Sequence, residues 1–455
     1  MMQTWQLSQL TQVLAAQLVG PDTAISGVSI DSRSIEPGDL FVALRGENFD
    51  GHDYLQEVCQ AGAAAAMVDS DIALDTPFLR VGNTEKALGL LGAHNRAAYN
   101  GPLVAITGSG GKTTTKNMVA AIFGQRGMTL ATKGNFNNEV GVPLTLLNLS
   151  PEHQFAVVEM GAARAGDIAW LAELGKPSVA VLLNALPAHL QSFGSIEGVA
   201  NAKGEIFDSL GAGDVAIFNA DQKWASQWRA RAGAARVFDF GFSSQAAVQA
   251  HSLESLGLDG TRFVVSASGE EFPIRLNLPG KHNVANALAA IAVGLACEIS
   301  VEEICMGLAS LSPVPGRLSD VVAMGGARII DDSYNANPAS VKAAIEVLAQ
   351  CDGRRTAILG AMKELGAGSD ALHAEVARYA AAAGIEQLWG VGPEWKNAVA
   401  EFADGGQFFP SRESAAEATE NAFCAGDTVL VKGSRGAKME LVFAALVNTH
   451  HTGEH

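Results

Sequence analysis

The chain has 455 residues, 48% of them hydrophobic, and carries a formal net charge of −17 at pH 7. That length calls for two or three well-cored α/β domains, and the acidity excludes a general affinity for nucleic acid or anionic membrane. Five scattered cysteines, no signal pattern at the N-terminus and no apolar run of bilayer length argue against a disulfide-framed or membrane-inserted protein and point to the cytoplasm.

The first expected domain covers residues 1–82. It opens with an amphipathic helix in which Leu7, Leu10 and Leu14 share one face. Strands are predicted at 27–30 and 39–44, on either side of the turn Glu36-Pro37-Gly38, then a helix from about 50 to 62 and a strand over 63–68. Asp31-Ser32-Arg33 lies in a polar loop. It reads as a solvated turn or as a dock for an anionic group, with Arg33 as donor. His52 reads as a helix-start residue rather than a base.

The second expected domain, 83–314, is organised around Val104 to Thr115. An apolar run ends in Thr107, then Gly108-Ser109-Gly110-Gly111 leads into Lys112-Thr113-Thr114-Thr115. Beyond these, Met118, Val119, Ala121, Ile122 and Phe123 recur at helical spacing. Strand, glycine loop and helix in that order form a phosphate cradle. Glycines let backbone N–H groups converge on an anion, and the helix start adds partial positive charge. Lys112 would reach the outer phosphates of ATP, and the Thr113 hydroxyl would ligate Mg²⁺. Ile106 stands where the strict pattern wants its first glycine.

Strand-then-helix patterns follow, the signature of a parallel sheet with crossover helices. Strands are predicted at 155–161, 178–184 and 215–219. Glu159 and His189 fall at or just past the ends of two of them, where ligands gather in such sheets. Glu159 reads as a metal ligand or a helix cap, and the nearby phosphate loop favours the ligand. His189 alone reads as a structural histidine, and Lys203 as a surface helix lysine. The amide-rich loop 132–143, with Asn135, Asn137 and Asn138, suits sugar or carbonyl recognition, or simple Asx turns. Asn283 and Asn286 share one face of an alanine-rich helix opening near residue 280.

Pro313-Val314-Pro315-Gly316-Arg317 is a stiff turn and opens the third expected domain, 315–455. Strands are predicted at 328–332, 356–360, 387–392 and 428–433, with a helix beginning near Pro338. This reads as a second nucleotide-type sheet without a phosphate loop, placed to close over ATP and bring a second substrate. The tail after Asn448 is polar and reads as disordered.

Together these motifs resemble the Mur ligases. The stretch 107–115 is similar to the ATP loop of that family, which also lacks the first Walker glycine. Further similarity lies in Asp-Ser-Arg at 31–33, Asn-Phe-Asn-Asn at 135–138, Glu159, Ala-His-Leu at 188–190, Ala-Lys-Gly-Glu at 202–205 and His-Asn-Val-Ala-Asn at 282–286. The segments 331–340 and 432–435 resemble most the member that adds D-alanyl-D-alanine to UDP-N-acetylmuramoyl-tripeptide in peptidoglycan synthesis.

The resemblance implies a three-domain α/β ligase that binds ATP and Mg²⁺, with small-molecule substrates and a monomeric state. Thr107 to Thr114, with Asn283, Asn286, Arg317 and Asp331, would surround ATP. Thr113, Glu159 and His189 would hold the metal, joined by Lys203 if it is carbamylated as in the family. Lys112, Glu159, His189 and Lys203 would form the catalytic set. Ser32 and Arg33 would meet the uridine nucleotide, Asn135, Asn137 and Asn138 the sugar-peptide substrate, and Tyr334, Asn335 and Asn337 the dipeptide. Ala361 departs from the family pattern, which places an aspartate there. A sister ligase, including one that adds glutamate to folate, and a non-catalytic ATP-gated binding protein are the alternatives.

Overall fold

The computed structural model describes residues 3–448 except 47, 188, 189, 324, 403 and 421. His189 and the tail beyond Asn448 therefore lie outside the described residues. Among those described, no helix is long and apolar enough to cross a membrane.

Leu103–Thr107, Phe155–Glu159 and Val179–Leu182 are buried at every position. Unbroken apolar runs suit strands covered on both faces. They lie inside a six-stranded parallel sheet in the order Arg236–Val237, Val215–Phe218, Val179–Leu182, Leu103–Thr107, Phe155–Glu159, Thr129–Ala131. One face is covered by helices Lys112–Phe123 and Lys281–Ala296, through Ile106, Met118, Ile122 and Ile291. The other is covered by Asp167–Gly175 and Ile196–Gly204, through Ala105, Val158, Ile168 and Val199. From Leu103–Thr107 the chain first builds the sheet to one side and later to the other. That change of direction opens a crevice above the strand's carboxyl end.

The first domain contributes a five-stranded sheet, ordered Gln17–Val19, Phe78–Arg80, Ala65–Val68, Asp39–Val42, Gly27–Ser29, parallel except for Gln17–Val19. Helix Thr84–Ala97 joins it to the central sheet. Leu88 and Leu91 share a buried cluster with Leu147 of helix Gly141–Leu147. Gly92 permits this close approach, since a Cβ there would lie 2.9 Å from Pro143 Cα. The third domain is a second six-stranded sheet, ordered Ser319–Val322, Arg328–Asp332, Asp427–Lys432, Arg354–Gly360, Gln387–Val391, Gly406–Phe409, parallel except for its first pair.

One layer was not foreseen from the sequence. Phe240–Gly241, Val248–Ser255, Thr261–Ala267 and Glu270–Leu276 form a small sheet whose last three strands are antiparallel. Strict alternation of Phe263, Val265 and Ala267, and of Phe272, Ile274 and Leu276, directs one face onto the core around helix Lys281–Ala296. The turn at its tip reaches the third domain. Leu258 joins the buried cluster containing Ile345 and Leu348, Ser255 Oγ donates to Gln350 Oε1 at 2.5 Å, and Asp259 lies 3.7 Å from Arg328. Burying that leucine contributes roughly 1.5–3 kcal/mol to holding the two domains together.

Candidate active site

The glycine loop leaves the sheet after Thr107 and enters helix Lys112–Phe123. Asn184, at the end of the adjacent strand, clamps it. Its Oδ1 accepts from Gly110 N at 3.0 Å, its Nδ2 donates to Gly110 O at 3.1 Å, and its carbonyl accepts from Ser109 N at 3.2 Å. Ser109 Oγ donates to the Leu186 carbonyl at 3.2 Å. The Lys112 ammonium folds over the loop and donates to Gly108 O at 2.9 Å. Burial pulls Lys112 below the ordinary lysine range and Arg317 adds to this, while Glu159 opposes it. Asn184 had no role in the sequence reading; its one signal was a polar residue ending an apolar strand.

Gly111 is left-handed at φ +83°, and a Cβ there would lie 2.2 Å from Asn286 Oδ1. Gly111→Ala is therefore expected to strain the cradle by about 1–2 kcal/mol and to push Asn286 aside. Calorimetry with ADP should show about tenfold weaker binding, with a melting temperature lowered by only a few degrees.

Glu159 ends its strand directly across from the loop. Its Oε2 accepts from Thr113 Oγ1 at 2.9 Å and its Oε1 accepts from Asn137 Nδ2 at 2.7 Å. The helix-cap reading of Glu159 is thereby replaced: its carboxylate faces the phosphate loop. Arg317 Nη2 donates to the same Thr113 hydroxyl at 3.0 Å, which joins the third domain to the cradle. Among the described residues no three His, Cys, Asp or Glu side chains converge as a metal cluster. The chemistry still fits magnesium, which commonly takes one carboxylate, a hydroxyl, phosphate oxygens and water. Thr113 and Glu159 are the residues that would supply the protein's share.

Lys203 corrects the surface reading. It is 2% exposed, because its helix Ile196–Gly204 packs beneath the crevice with Val199, Ala200 and Ala202 also buried. Burial, with repulsion from Lys112, pulls its amine down to about 7. Lys116, one turn past Lys112, also went unread as a functional residue. It is 5% exposed and donates to Thr132 O at 2.7 Å.

The third domain forms the opposite wall. The Arg317 guanidinium lies over the Tyr334 ring at 4.3 Å, and Arg435 over the same ring at 5.7 Å. Lys432, almost fully buried, donates to Asp332 Oδ2 at 2.6 Å and to Asn335 O at 2.8 Å. Burial raises the Asp332 carboxyl above its usual range, opposed by Lys432. His282 faces the same lysine and is pulled down to about 4, chiefly by burial. It stays a neutral imidazole at physiological pH.

The crevice encloses about 690 Å³ and is lined by Gly108 to Thr114, Asn135, Asn137, Asn138, Glu159, Lys203, Asn283, Asn286, Arg317, Tyr334, Asn335 and Asn337. Asn286 Nδ2 donates to Asn283 Oδ1 at 3.2 Å, so these two do share a face. Asn337 caps helix Pro338–Ala349 through Ser340 N. Thr107 lies buried beneath the loop rather than on the crevice. The Asp331 carboxylate accepts from Gly316 N and from Ser333 N and Oγ, so it braces the Arg317 turn, and Asp332 takes the crevice position. Ser32 and Arg33 lie in the first domain away from the crevice, with the Arg33 guanidinium paired to its own Asp31 at 2.7 Å. A second hollow, of about 950 Å³, lies elsewhere; its Arg96 is spent on the carbonyls of Tyr99, Gly175 and Lys176.

Three family models account for most of the chain. The Mur ligase family catalytic domain matches residues 24–96, the Mur ligase middle domain 106–294, and the Mur ligase glutamate ligase domain 316–435. The chain belongs to the Mur ligase family. As a Mur ligase it is 42% identical over 444 residues to the UDP-N-acetylmuramoyl-tripeptide–D-alanyl-D-alanine ligase of Escherichia coli K12, covering 97% of this chain and 98% of that protein. It is 32% identical over 456 residues to the Bacillus subtilis enzyme of the same name, covering 97% and 98%. Its fold matches the crystal structure of MurF from Acinetobacter baumannii with a TM-score of 0.93 at 34% identity, over 98% of this chain and all of that one. MurF ligase from Thermotoga maritima, solved in complex with ADP, matches at 0.82 and 29% identity, over 92% and 96%.

Proposed function

We propose that this Mur ligase is the ATP-dependent enzyme that joins D-alanyl-D-alanine to UDP-N-acetylmuramoyl-tripeptide in cytoplasmic peptidoglycan precursor synthesis. The observation that carries it is the crevice in which the Lys112 loop and Glu159 of one sheet meet Arg317, Tyr334 and Lys432 of the other. Full-length identity to enzymes of that name supports the choice of substrates.

The terminal carboxylate of the tripeptide attacks the γ-phosphorus of ATP, ADP leaves, and an acyl phosphate forms. The free amine of the dipeptide then attacks the acyl carbon, loses a proton, and inorganic phosphate departs. Phosphoryl transfer asks mainly for positioning and neutralisation of charge. Lys112 and the loop amides answer the phosphates, and Arg317 adds a second cation from the facing domain. A magnesium ion on Thr113 and Glu159 would offset further phosphate charge. Lys203, if carbamylated, would present an anion in place of a cation on the same side. The first domain, with Ser32 and Arg33, would receive the uridine nucleotide, and the Asn135–Asn138 loop the remainder of the tripeptide substrate. Tyr334, Asn335 and Asn337 would border the dipeptide. The enzyme would act as a monomer.

Phosphate release should require ATP, Mg²⁺, the UDP-tripeptide and D-alanyl-D-alanine together. Single D-alanine or L-amino acids should support it about a hundredfold less well. Release independent of the dipeptide, or equal with single amino acids, would overturn the assignment.

A further inference from the structure

Lys116 stands out as a buried cation with no established task. It follows Lys112 by four residues, so both lie on one face of helix Lys112–Phe123, Lys112 at the crevice and Lys116 behind it. It is 5% exposed. Among the described residues its ammonium makes one hydrogen bond, to the Thr132 carbonyl at 2.7 Å, and no close ion pair; burial pulls the amine below the ordinary lysine range and Arg317 adds to this, while the Glu159 charge opposes it from a distance. A buried ammonium with one neutral partner is costly, and an apolar side chain of that length would suit the surroundings better. Stability therefore gives no reason for a lysine there.

Its single partner leads to the reacting centre. Thr132 follows strand Thr129–Ala131 and is 2% exposed; its N–H donates to Val157 O at 3.0 Å. Its hydroxyl accepts the Glu159 N–H at 2.9 Å. The Glu159 carboxylate in turn accepts from Thr113 and Asn137. One chain of contacts thus runs from the back of the phosphate-loop helix, through the edge strand, to the carboxylate facing the loop.

We propose that Lys116 is a positioning residue, which fixes the strand end carrying Glu159 through Thr132 and places a positive charge behind the polyphosphate site. The proposal rests on the assignment of the crevice as a metal–nucleotide site. The two actions have the same sign. The bound species, a divalent metal with a nucleotide, is net anionic, so it gains from the charge as well as from a correctly held Glu159.

The test measures binding of Mn²⁺·ADP by electron paramagnetic resonance and calorimetry, alongside phosphate release. Lys116→Met removes charge and hydrogen bond while keeping the length. Thr132→Val removes only the acceptor of the Glu159 N–H. Lys116→Met should weaken Mn²⁺·ADP about tenfold and Thr132→Val about threefold, both keeping a melting temperature within about 3 °C of wild type. The double variant should weaken binding less than the product of the singles, because the residues act through one network. The Michaelis constant for D-alanyl-D-alanine should stay within about twofold. Mn²⁺·ADP affinity within twofold of wild type in both single variants, or weakening that merely tracks lost thermal stability, overturns the proposal. Thr132→Val, a near-isosteric change, decides the matter should Lys116→Met not fold. If wild type binds Mn²⁺·ADP but releases no phosphate with the UDP-tripeptide and dipeptide, the substrate assignment fails while the role of Lys116 stands.

Discussion

Replacing Lys112 with alanine should reduce kcat/KM for ligation by about a thousandfold or more and leave the fold intact. Donors aimed at charge that develops during reaction are each worth roughly a hundred- to a thousandfold in mutational tests. Lys112 combines that role with positioning at the helix start. Among the described residues its ammonium makes one hydrogen bond, to the Gly108 carbonyl, a contact that polyphosphate oxygens can replace without disturbing the loop. The Asn184 clamp on Gly110 and Ser109 does not involve it, so the loop should keep its shape in the variant. Burial already disfavours the charged amine, so its removal should cost little stability. Steady-state kinetics and a melting curve check both halves. Turnover within about tenfold of wild type would sink the assignment of the loop. Loss of activity together with loss of folding would instead make Lys112 a structural residue.

How much of this could be read from the chain depends on how local each feature is. The phosphate loop and Glu159 were legible because strand, turn and helix follow one another within a few residues, and the carboxylate ends an apolar run. The third-domain strands at 328–332 and 428–433 were legible for the same reason. Lys203 was legible only through the family resemblance and not from spacing, because its burial comes from elements distant in sequence. Trp228 closes over that helix, its indole N–H donating to Ala200 O at 3.1 Å. Lys116 was hidden by resembling any helix lysine, although Met118, Val119, Ile122 and Phe123 around it are buried. Asp331 and Asp332 show the limit of motif reading. Adjacent strand residues point to opposite sides, so one braces a turn and its neighbour enters the crevice. The small antiparallel sheet was missed despite clear alternation in 261–267 and 270–276, because βα alternation on both sides suggested continuation of the parallel pattern.

Lys203→Ala should lower kcat about a hundredfold or more, and the wild-type enzyme should lose activity when carbon dioxide is stripped at low pH. The amine is pulled from 10.5 to about 7 in the folded protein, by burial first and by Lys112 second. Between those two values the unfolded chain binds more protons than the folded one. This group's unfavourable contribution to folding is therefore complete below about 7 and is relieved as pH rises from about 7 to 10.5. Above pH 7 the neutral amine predominates, and only that form attacks carbon dioxide. In the expected carbamylation a nitrogen–carbon bond would form, one proton would go to solvent, and a carbamate anion would remain. That product would change the electrostatics with Lys112 from repulsion to attraction, so two groups that disfavour each other would become a compensated pair. Dialysis at pH 6 against carbon dioxide-free buffer should reduce turnover, and bicarbonate at pH 8 should restore it. Carbon-13 bicarbonate should add one carbonyl resonance to wild type that is absent from Lys203→Ala. An enzyme that keeps full activity after stripping and takes up no label would exclude the carbamate. Near-normal turnover of Lys203→Ala would remove this lysine from the site altogether.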